Sequence, residues 1–149
     1  MILVKHLLSA ALVLTLLIAT SATAQERNYI DPNHPSQASV SPFSAAVQTD
    51  NTLYLSGTLG LQNGQVPTDP AVEAHNVLNA IKGTLEEANM SMDDLVYVQI
   101  FCSDLSLYQV FNDVYRTYFT QEFPARAFIG AGSLLFDAHF EIQAIAVKR

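Results

Sequence analysis

The sequence predicts one α+β domain in which two helices cover one face of an antiparallel or mixed β-sheet. Its 149 residues fit a single domain. Two segments repeat apolar residues at spacings of three and four, which is the period of an amphipathic helix. The remaining apolar segments are short and lie between turn residues, as strands do. Together these observations predict the element order β-β-α-β-α-β, in which the last β unit holds two strands.

The first 24 residues are excluded from this domain because they have the order of a secretory signal peptide. Lys5 precedes the apolar run Leu7–Ala19, and Ala-Thr-Ala at 22–24 forms a small-x-small cleavage site. An uncleaved membrane anchor is the alternative, although the run is shorter than the roughly 20 residues that a span needs. We therefore expect a domain of residues 25–149 that is exported, periplasmic or secreted, and free of the membrane after cleavage.

The N-terminal half of the domain predicts an irregular segment and then a hairpin. Residues 25–43 contain three prolines among polar residues, which favours an irregular lead-in. Two strands are expected at Ser44–Val47 and Leu53–Ser56, with a turn at residues 49–51. A loop is expected at Gln62–Asp69.

Both helices have start signals and one-sided apolar stripes. Asp69 can cap the first helix, and Pro70 suits its first position. The apolar stripe of this helix comprises Ala71, Ala74, Leu78, Ile81, Leu85 and Ala88. Ser106 and Gln109 predict a capping box at the start of the second helix. Its stripe comprises Leu107, Val110, Phe111, Val114, Tyr115 and Tyr118.

Three further strands are expected, and the first of them predicts self-association. They lie at Leu95–Cys102, after a turn at residues 91–94, and at about Arg126–Ala131 and Ala138–Val147. The strand at Leu95–Cys102 is apolar on both faces, with only Gln99 polar, so both faces of the sheet should be covered. Two helices cover one face only, and large exposed apolar surfaces are rare in monomers. We therefore expect a second copy on the other face.

Composition narrows the classes of partner and site. The formal net charge is −7, or −8 without the leader, and no basic cluster is present, so nucleic acid is not an expected partner. His34, His75 and His139 have no ligand spacing, and neither a metal nor a cofactor is predicted. Cys102 is the single cysteine, and we interpret it as a buried small hydrophobe rather than a nucleophile.

Two charged residues near the C-terminus are the candidate functional pair. Arg126 follows a Pro-Ala pair, and Glu141 lies among apolar residues on the last strand. A guanidinium can hold a carboxylate through two parallel charge-assisted hydrogen bonds. A glutamate close to it would move a proton to or from a water molecule. The pair indicates a site for a small carboxylic acid. The alternatives are an interface ion pair for Arg126 and a solvated carboxylate for Glu141.

Five segments of the chain resemble the RidA (YjgF/YER057c/UK114) family of enamine/imine deaminases. In chain order they are Pro42–Val47, Leu55–Gly57, Asn112–Tyr115, Phe123–Arg126 and Glu141–Val147. The resemblance covers the chain from about Ser41 onward, and the set is specific in this order although each segment alone is weak. It implies a chorismate-mutase-like fold, a homotrimer with pockets at the subunit interfaces, and hydrolysis of 2-imino or enamine acids to 2-keto acids and ammonia.

The resemblance also implies roles for individual residues. Arg126 would hold the substrate carboxylate, and Glu141 would position the attacking water and carry its proton to the departing amine. The backbone at Ser56 and Gly57 would complete the carboxylate site, and Asn112 would lie near the pocket, with bonding to a loop as its alternative. Ser56 is not expected to be a nucleophile, because no histidine–acid pair is placed to activate it.

Four departures from the family pattern concern the pocket. Phe43 stands where tyrosine is usual, and Phe128 stands where a small residue or cysteine is common. Leu134–Phe136 replaces a stretch that usually holds Leu-Pro and a charge, and Gly60 replaces a common proline. These changes predict a more apolar substrate-binding region around Phe43 and Phe128, which can alter specificity. The leading hypothesis is an exported deaminase. The alternatives are a non-catalytic organic-acid-binding protein and an RNA-cleaving protein, which the net charge disfavours.

Overall fold

The computed structural model describes residues 25–30 and 42–149. The predicted signal peptide, residues 1–24, lies outside the described residues, as does most of the predicted lead-in. The division of the chain at residue 24 therefore stays a prediction. No helix within the two described ranges is long and apolar enough to cross a membrane.

The described residues form six strands and two α-helices. The strands are β1 Arg27–Ile30, β2 Ala46–Thr49, β3 Thr52–Leu59, β4 Leu95–Cys102, β5 Ala125–Gly130 and β6 Phe140–Val147. The helices are α1 Pro70–Glu87 and α2 Tyr108–Tyr115. Both helices pack on the same face of the sheet, because Phe111 of α2 contacts Phe140 and the Glu73 carboxylate of α1 accepts the Phe140 N–H. The predicted α+β class is confirmed.

All six strands belong to one sheet, with the order β1-β2-β3-β6-β4-β5. Neighbouring strands are antiparallel except β4 and β5, which are parallel. A parallel pair needs a long crossover connection, and α2 supplies it. The C-terminal strand β6 therefore lies between β3 and β4, which places Glu141 near the middle of the sheet while Arg126 lies on the edge strand β5.

The prediction of an irregular lead-in is wrong at its start, because Arg27–Ile30 forms β1. This strand pairs antiparallel with β2, from Arg27 opposite Thr49 to Ile30 opposite Ala46. Only Ile30 of its residues is buried, so the strand carries almost no apolar pattern. Its stability comes from hydrogen bonds to the edge of β2, which local sequence does not reveal.

Helix α1 begins as the sequence predicts. The Asp69 carboxylate accepts a hydrogen bond from the Ala71 N–H at 2.9 Å, and Pro70 is the first helical residue. The predicted stripe faces the core, with Ala71 partly buried and the rest buried. The helix is therefore fixed at its N-terminus and along one face.

The predicted capping box at Ser106 is wrong. The Asp104 carboxylate instead accepts the Ser106 N–H at 2.9 Å and caps a 3-10 turn at Leu105–Leu107. The Gln109 side chain donates to the Asp113 carboxylate at 2.7 Å. Aspartate accepts at a helix start as well as serine does, and the preceding turn moves the cap two residues upstream.

The two faces of the sheet differ in their covering. On β6 the buried residues are Phe140, Ile142, Ala144 and Ala146, which face the helices. Alternate residues of a strand point to opposite faces, so Glu141 and Ile145 lie on the other side, here called the open face. Tyr54 of β3 and Tyr97 of β4 both pair with Ile145, and both are exposed. This apolar row is consistent with the expected second copy, which stays a prediction.

Burial along β4 alternates from Val98 to Cys102 but not at the start of the strand. Leu95 is buried and Val96 is exposed, whereas Val98, Ile100 and Cys102 are buried. The pairing with β6 shifts register between Leu95 and Tyr97, and this irregularity turns Val96 out of the core. Cys102 is a buried free thiol, and burial raises its pKa.

Candidate active site

Arg126 is held on the helix face of the edge strand β5. Its Nη1 donates to the Asn112 side-chain oxygen at 2.7 Å. The guanidinium carbon lies 4.8 Å from the centroid of the Tyr115 ring and 5.8 Å from that of Phe128. Cation–π contacts and a hydrogen bond that it donates to a buried amide oxygen thus fix the guanidinium before any ligand arrives. Asn112 therefore bonds Arg126 itself rather than a loop.

A cavity of about 210 Å³ lies beside this guanidinium. We call it the Arg126 pocket; its lining residues are Asn112, Tyr115, Arg116, Phe123, Pro124 and Arg126. The charged residues among them are both arginines. The Tyr115 hydroxyl is buried and has no hydrogen-bond partner among the described residues, and burial raises the Tyr115 pKa far above its usual value. Arg116 Nη1 lies 3.7 Å from the Asp113 carboxylate, so the Arg126 guanidinium and the Tyr115 phenol are the groups here that suit an anionic ligand.

Phe128 does not line this cavity. Its ring packs edge-on against Tyr108 at 5.0 Å and Phe111 at 5.6 Å between ring centroids. These contacts place it in the aromatic layer between β5 and α2, from which it supports Arg126. Within one chain Phe128 has a packing role, and its expected contact with substrate at a subunit interface stays a prediction.

Glu141 lines a second cavity, of about 670 Å³, on the open face. We call it the Glu141 pocket; its residues are Phe43, Ser56, Gly57, Leu59, Phe101, Leu135, Phe136, Glu141 and Gln143. The pairing of β3 with β6 shifts register between Leu55 and Thr58. A Cβ atom on Gly57 would overlap the Glu141 carboxylate, so glycine allows that carboxylate to lie against the β3 backbone.

Ser56 ties the segment before β2 to this pocket. Its hydroxyl donates to the Ser44 carbonyl oxygen at 2.7 Å, and its N–H donates to the Ala45 carbonyl oxygen at 2.9 Å. Phe43 is thereby held at the pocket. Because the Ser56 proton is committed to a backbone carbonyl, the hydroxyl is arranged for positioning and not for nucleophilic attack.

Within one chain the structure does not bring Arg126 and Glu141 together. Strand β4 lies between their strands, with Arg126 opposite Val98 and Glu141 opposite Phe101. Arg126 contacts α2 on the helix face, whereas Glu141 lies on the open face. The expectation of a close pair is therefore not met by a single copy, and each pocket carries half of the expected chemistry.

Sequence reasoning missed Glu73, which fixes the start of β6. Its fully buried carboxylate accepts the His139 N–H at 2.7 Å and the Phe140 N–H at 3.0 Å, and His139 Nδ1 lies 2.6 Å from it. Glu141 follows Phe140 directly, so this contact sets where the Glu141 strand begins. Helical periodicity was the available signal, since Glu73 lies on the same face as buried Val77 and Ile81.

Comparisons with known proteins match this fold and these segments. A profile of the family described as "Endoribonuclease L-PSP" matches residues 33–148. The 2-iminobutanoate/2-iminopropanoate deaminase of Bos taurus is 38% identical over 114 residues, which is 74% of this chain and 83% of that protein. The protein of the same name from Escherichia coli K12 is 32% identical over 117 residues, covering 75% of this chain and 91% of that protein.

Solved structures show the same similarity. The crystal structure of the YjgF gene product from E. coli matches with a TM-score of 0.73 at 31% identity, covering 81% of this chain and 98% of that chain. The crystal structure of E. coli TdcF with bound serine matches with a TM-score of 0.74 at 25% identity, covering 82% of this chain and 100% of that chain. The chain therefore belongs to the family described as Endoribonuclease L-PSP, the RidA family.

Proposed function

We propose that this protein hydrolyses reactive 2-imino acids, and the enamines in equilibrium with them, to 2-keto acids and ammonia. The observation that carries the proposal is the division of charges within the fold. A fixed guanidinium lies at the sheet edge, and a carboxylate lies in a large pocket on the open face. Relatives that are 32% and 38% identical are named as deaminases of such imines, which supports the reaction class.

The site is completed by a second copy of the chain. Glu141 is the only charged residue among the described residues that line its pocket, so a substrate carboxylate entering alone would meet negative charge. Arg126 of a neighbouring copy would neutralise that carboxylate and hold it in a bidentate contact. In a ring of identical copies each chain gives its arginine to one neighbour and its glutamate to the other. We propose a homotrimer as this assembly.

The reaction adds water to the imine carbon. The Glu141 carboxylate accepts a proton from a water molecule while the water oxygen bonds to that carbon, and the C=N electron pair moves to nitrogen. The proton then passes from Glu141 to the nitrogen, which gives a neutral carbinolamine. Glu141 next carries the carbinolamine hydroxyl proton to the nitrogen, so that the C–N bond breaks, the carbonyl forms and ammonia leaves. Arg126 orients the substrate throughout, which converts a loose encounter into a near-attack geometry.

The experiment follows the decay of imines that an amino-acid oxidase generates in situ. The purified protein should accelerate this decay, and Arg126→Ala should abolish the acceleration. Arg27→Ala is the matched control, because Arg27 is exposed on β1, on the opposite edge strand from Arg126. Acceleration that Arg126→Ala leaves at the wild-type level would overturn the proposed site.

A non-catalytic organic-acid-binding protein is the second candidate. The observation that favours it is that the preformed Arg126 pocket suits an anion without any contribution from Glu141. The E. coli TdcF structure, with its bound serine, is a family precedent for a small ligand. Replacing Glu141 with glutamine separates the two functions: a deaminase loses turnover, whereas a binding protein retains its affinity for the acid and has no turnover to lose.

The family description also names ribonuclease activity. A chain with a formal net charge of −7 repels a phosphate backbone, so RNA cleavage is not our proposal. Tight RNA binding that weakens steeply with added salt would contradict this view.

We further propose that the protein acts outside the cytosol, because residues 1–24 have the order of a signal peptide. N-terminal sequencing of the exported protein should find Gln25 first. A protein retained in the cytosol with its first residues intact would refute this.

A further inference from the structure

The walls of the Glu141 pocket are mainly large and apolar. Five of its nine lining residues are of this kind: Phe43, Leu59, Phe101, Leu135 and Phe136. Within one chain Phe43 is 59% exposed, Leu135 69% and Phe136 66%. Exposed apolar groups gathered around one cavity mark a place where another molecule buries apolar surface.

Arg126 and Glu141 account for the carboxylate and the imine of the substrate, so only its side chain is left to contact the apolar walls. An imine carbon carries a nitrogen, a carboxylate and a side chain. Glu141 acts at the carbon and nitrogen, and the carboxylate is directed to Arg126 of the neighbouring copy. The side chain is then the group that meets the apolar walls. These apolar walls bury more surface of a large apolar side chain than of a methyl group.

Backbone strain is present at one of these walls. Phe136 has φ of 61° and Asp137 has φ of 59°, so two successive non-glycine residues occupy the left-handed region. A bulky residue with positive φ is an outlier, and such strain clusters at ligand sites. The Phe136 ring is not buried within its own chain, so intrachain packing of the ring does not offset the strain. Phe43 is held by the bonds from Ser56 to the preceding segment.

The polar side chains that line the pocket, those of Ser56, Glu141 and Gln143, include no cation. The Ser56 hydroxyl donates its hydrogen bond to the Ser44 carbonyl oxygen. Glu141 is the charged residue among the described residues that line the pocket. An acidic substrate side chain would meet a like charge and no cation. Selection should therefore favour apolar side chains and reject acidic ones.

We infer that the protein acts on 2-imino acids with large apolar side chains, such as those derived from leucine and phenylalanine, in preference to the imine derived from alanine. The inference rests on the proposed function for its chemistry and on the Glu141 pocket for its selectivity. The imine derived from glutamate should be the poorest substrate of the series.

The first test compares kcat/KM for imines generated in situ from alanine, leucine, phenylalanine and glutamate. The leucine and phenylalanine derivatives should exceed the alanine derivative by roughly tenfold or more, given the effect of each buried methylene. Phe136→Ala and Phe43→Ala, in separate segments, should each lower this ratio by about fivefold. Val72→Ala should leave the ratio unchanged, because Val72 is an exposed apolar residue of α1, away from the open face. Light scattering checks that each variant keeps the wild-type assembly.

The second test separates this inference from the proposed function. Calorimetry measures binding of the stable products 2-oxopropanoate and 3-phenyl-2-oxopropanoate to the wild-type protein and to Phe136→Ala. Turnover with no preference for large side chains would overturn the inference and leave the deaminase proposal standing. The protein could show no turnover and yet bind 3-phenyl-2-oxopropanoate about tenfold more tightly than 2-oxopropanoate, with Phe136→Ala removing this difference. That result would overturn the deaminase proposal and retain the ligand class. Neither turnover nor preferential binding would overturn both.

Discussion

Gly57 provides the sharpest single test of how the Glu141 pocket works. A Cβ atom added at this position would overlap the Glu141 Oε1, while lying 3.2 Å from the carboxyl carbon and 3.5 Å from Cγ. The overlap thus involves the free end of a flexible side chain and spares the backbone. Gly57→Ala should therefore fold normally and displace the carboxylate.

The expected loss follows from the size of that displacement. To reach an ordinary contact distance the carboxylate oxygen has to move by roughly 1 Å, and misplacement of a catalytic group by this amount costs about 100-fold in rate. The free energy of unfolding should change by less than about 1 kcal/mol, because the carboxylate can rotate away.

The assay is imine decay at saturating and limiting substrate, with urea unfolding in parallel. Gly132→Ala is the matched control, because a Cβ there meets nothing within 4 Å. We expect the Gly57→Ala loss mainly in kcat and no loss in the control. Wild-type kcat in a folded Gly57→Ala protein would refute the assignment of Glu141 to the reaction.

Three further predictions concern the groups that support the site. Glu73→Ala leaves two buried N–H groups without an acceptor and should lower the free energy of unfolding, measured by urea denaturation, by about 3 kcal/mol. Glu86→Ala is the control: Glu86 is exposed, so its loss should change that free energy little. Asn112→Ala removes the hydrogen bond to the active-site guanidinium and should raise KM about tenfold, with a smaller effect on kcat; an unchanged KM would contradict its positioning role. The Thr120 hydroxyl and backbone N–H donate hydrogen bonds to the Asp93 carboxylate and lower its pKa below 3.8. These bonds therefore stabilise the folded protein above that pH, and the stabilisation is lost as the pH falls through the lower pKa of the folded state. Thr120→Val should therefore reduce the acid-side fall in the urea midpoint, and an unaltered fall would refute the link.

Local signals account for the elements that the sequence predicted well. Asp69 and Pro70 mark the start of α1 with a cap and a fixed φ, both of which act within one turn of helix. Strand β4 has the predicted bounds because turn-forming residues flank an eight-residue apolar run. Such signals depend on neighbours in the chain and are therefore readable without the fold.

Longer-range contacts explain the misses. Strand β1 exists because the edge of β2 offers it hydrogen bonds, and its own residues carry no apolar alternation. The cap of the second helical segment moved to Asp104 because a 3-10 turn precedes α2. Both outcomes depend on the geometry of residues outside the predicted window.

The residues of the candidate site were proposed from the sequence, and their arrangement was not. Arg126 and Glu141 offer a cation and a carboxylate in any fold, whereas the Ser56 N–H, expected to serve the substrate, donates to the Ala45 carbonyl oxygen. The sheet face of each side chain depends on the parallel register of β5 with β4 and on the packing of α2. These contacts put the guanidinium and the carboxylate on opposite faces, and the alternation within each strand could not show it.

We propose that each working site takes Arg126 from one copy and Glu141 from another. Arg126→Ala and Glu141→Gln should each be inactive alone. When the two variants are denatured together in equal amounts and refolded, a random ring pairs a native arginine with a native glutamate at about one interface in four. Mixed refolding should therefore restore about a quarter of wild-type activity. Assembled mixtures with no more activity than the separate variants would show that the two residues do not share a site across copies.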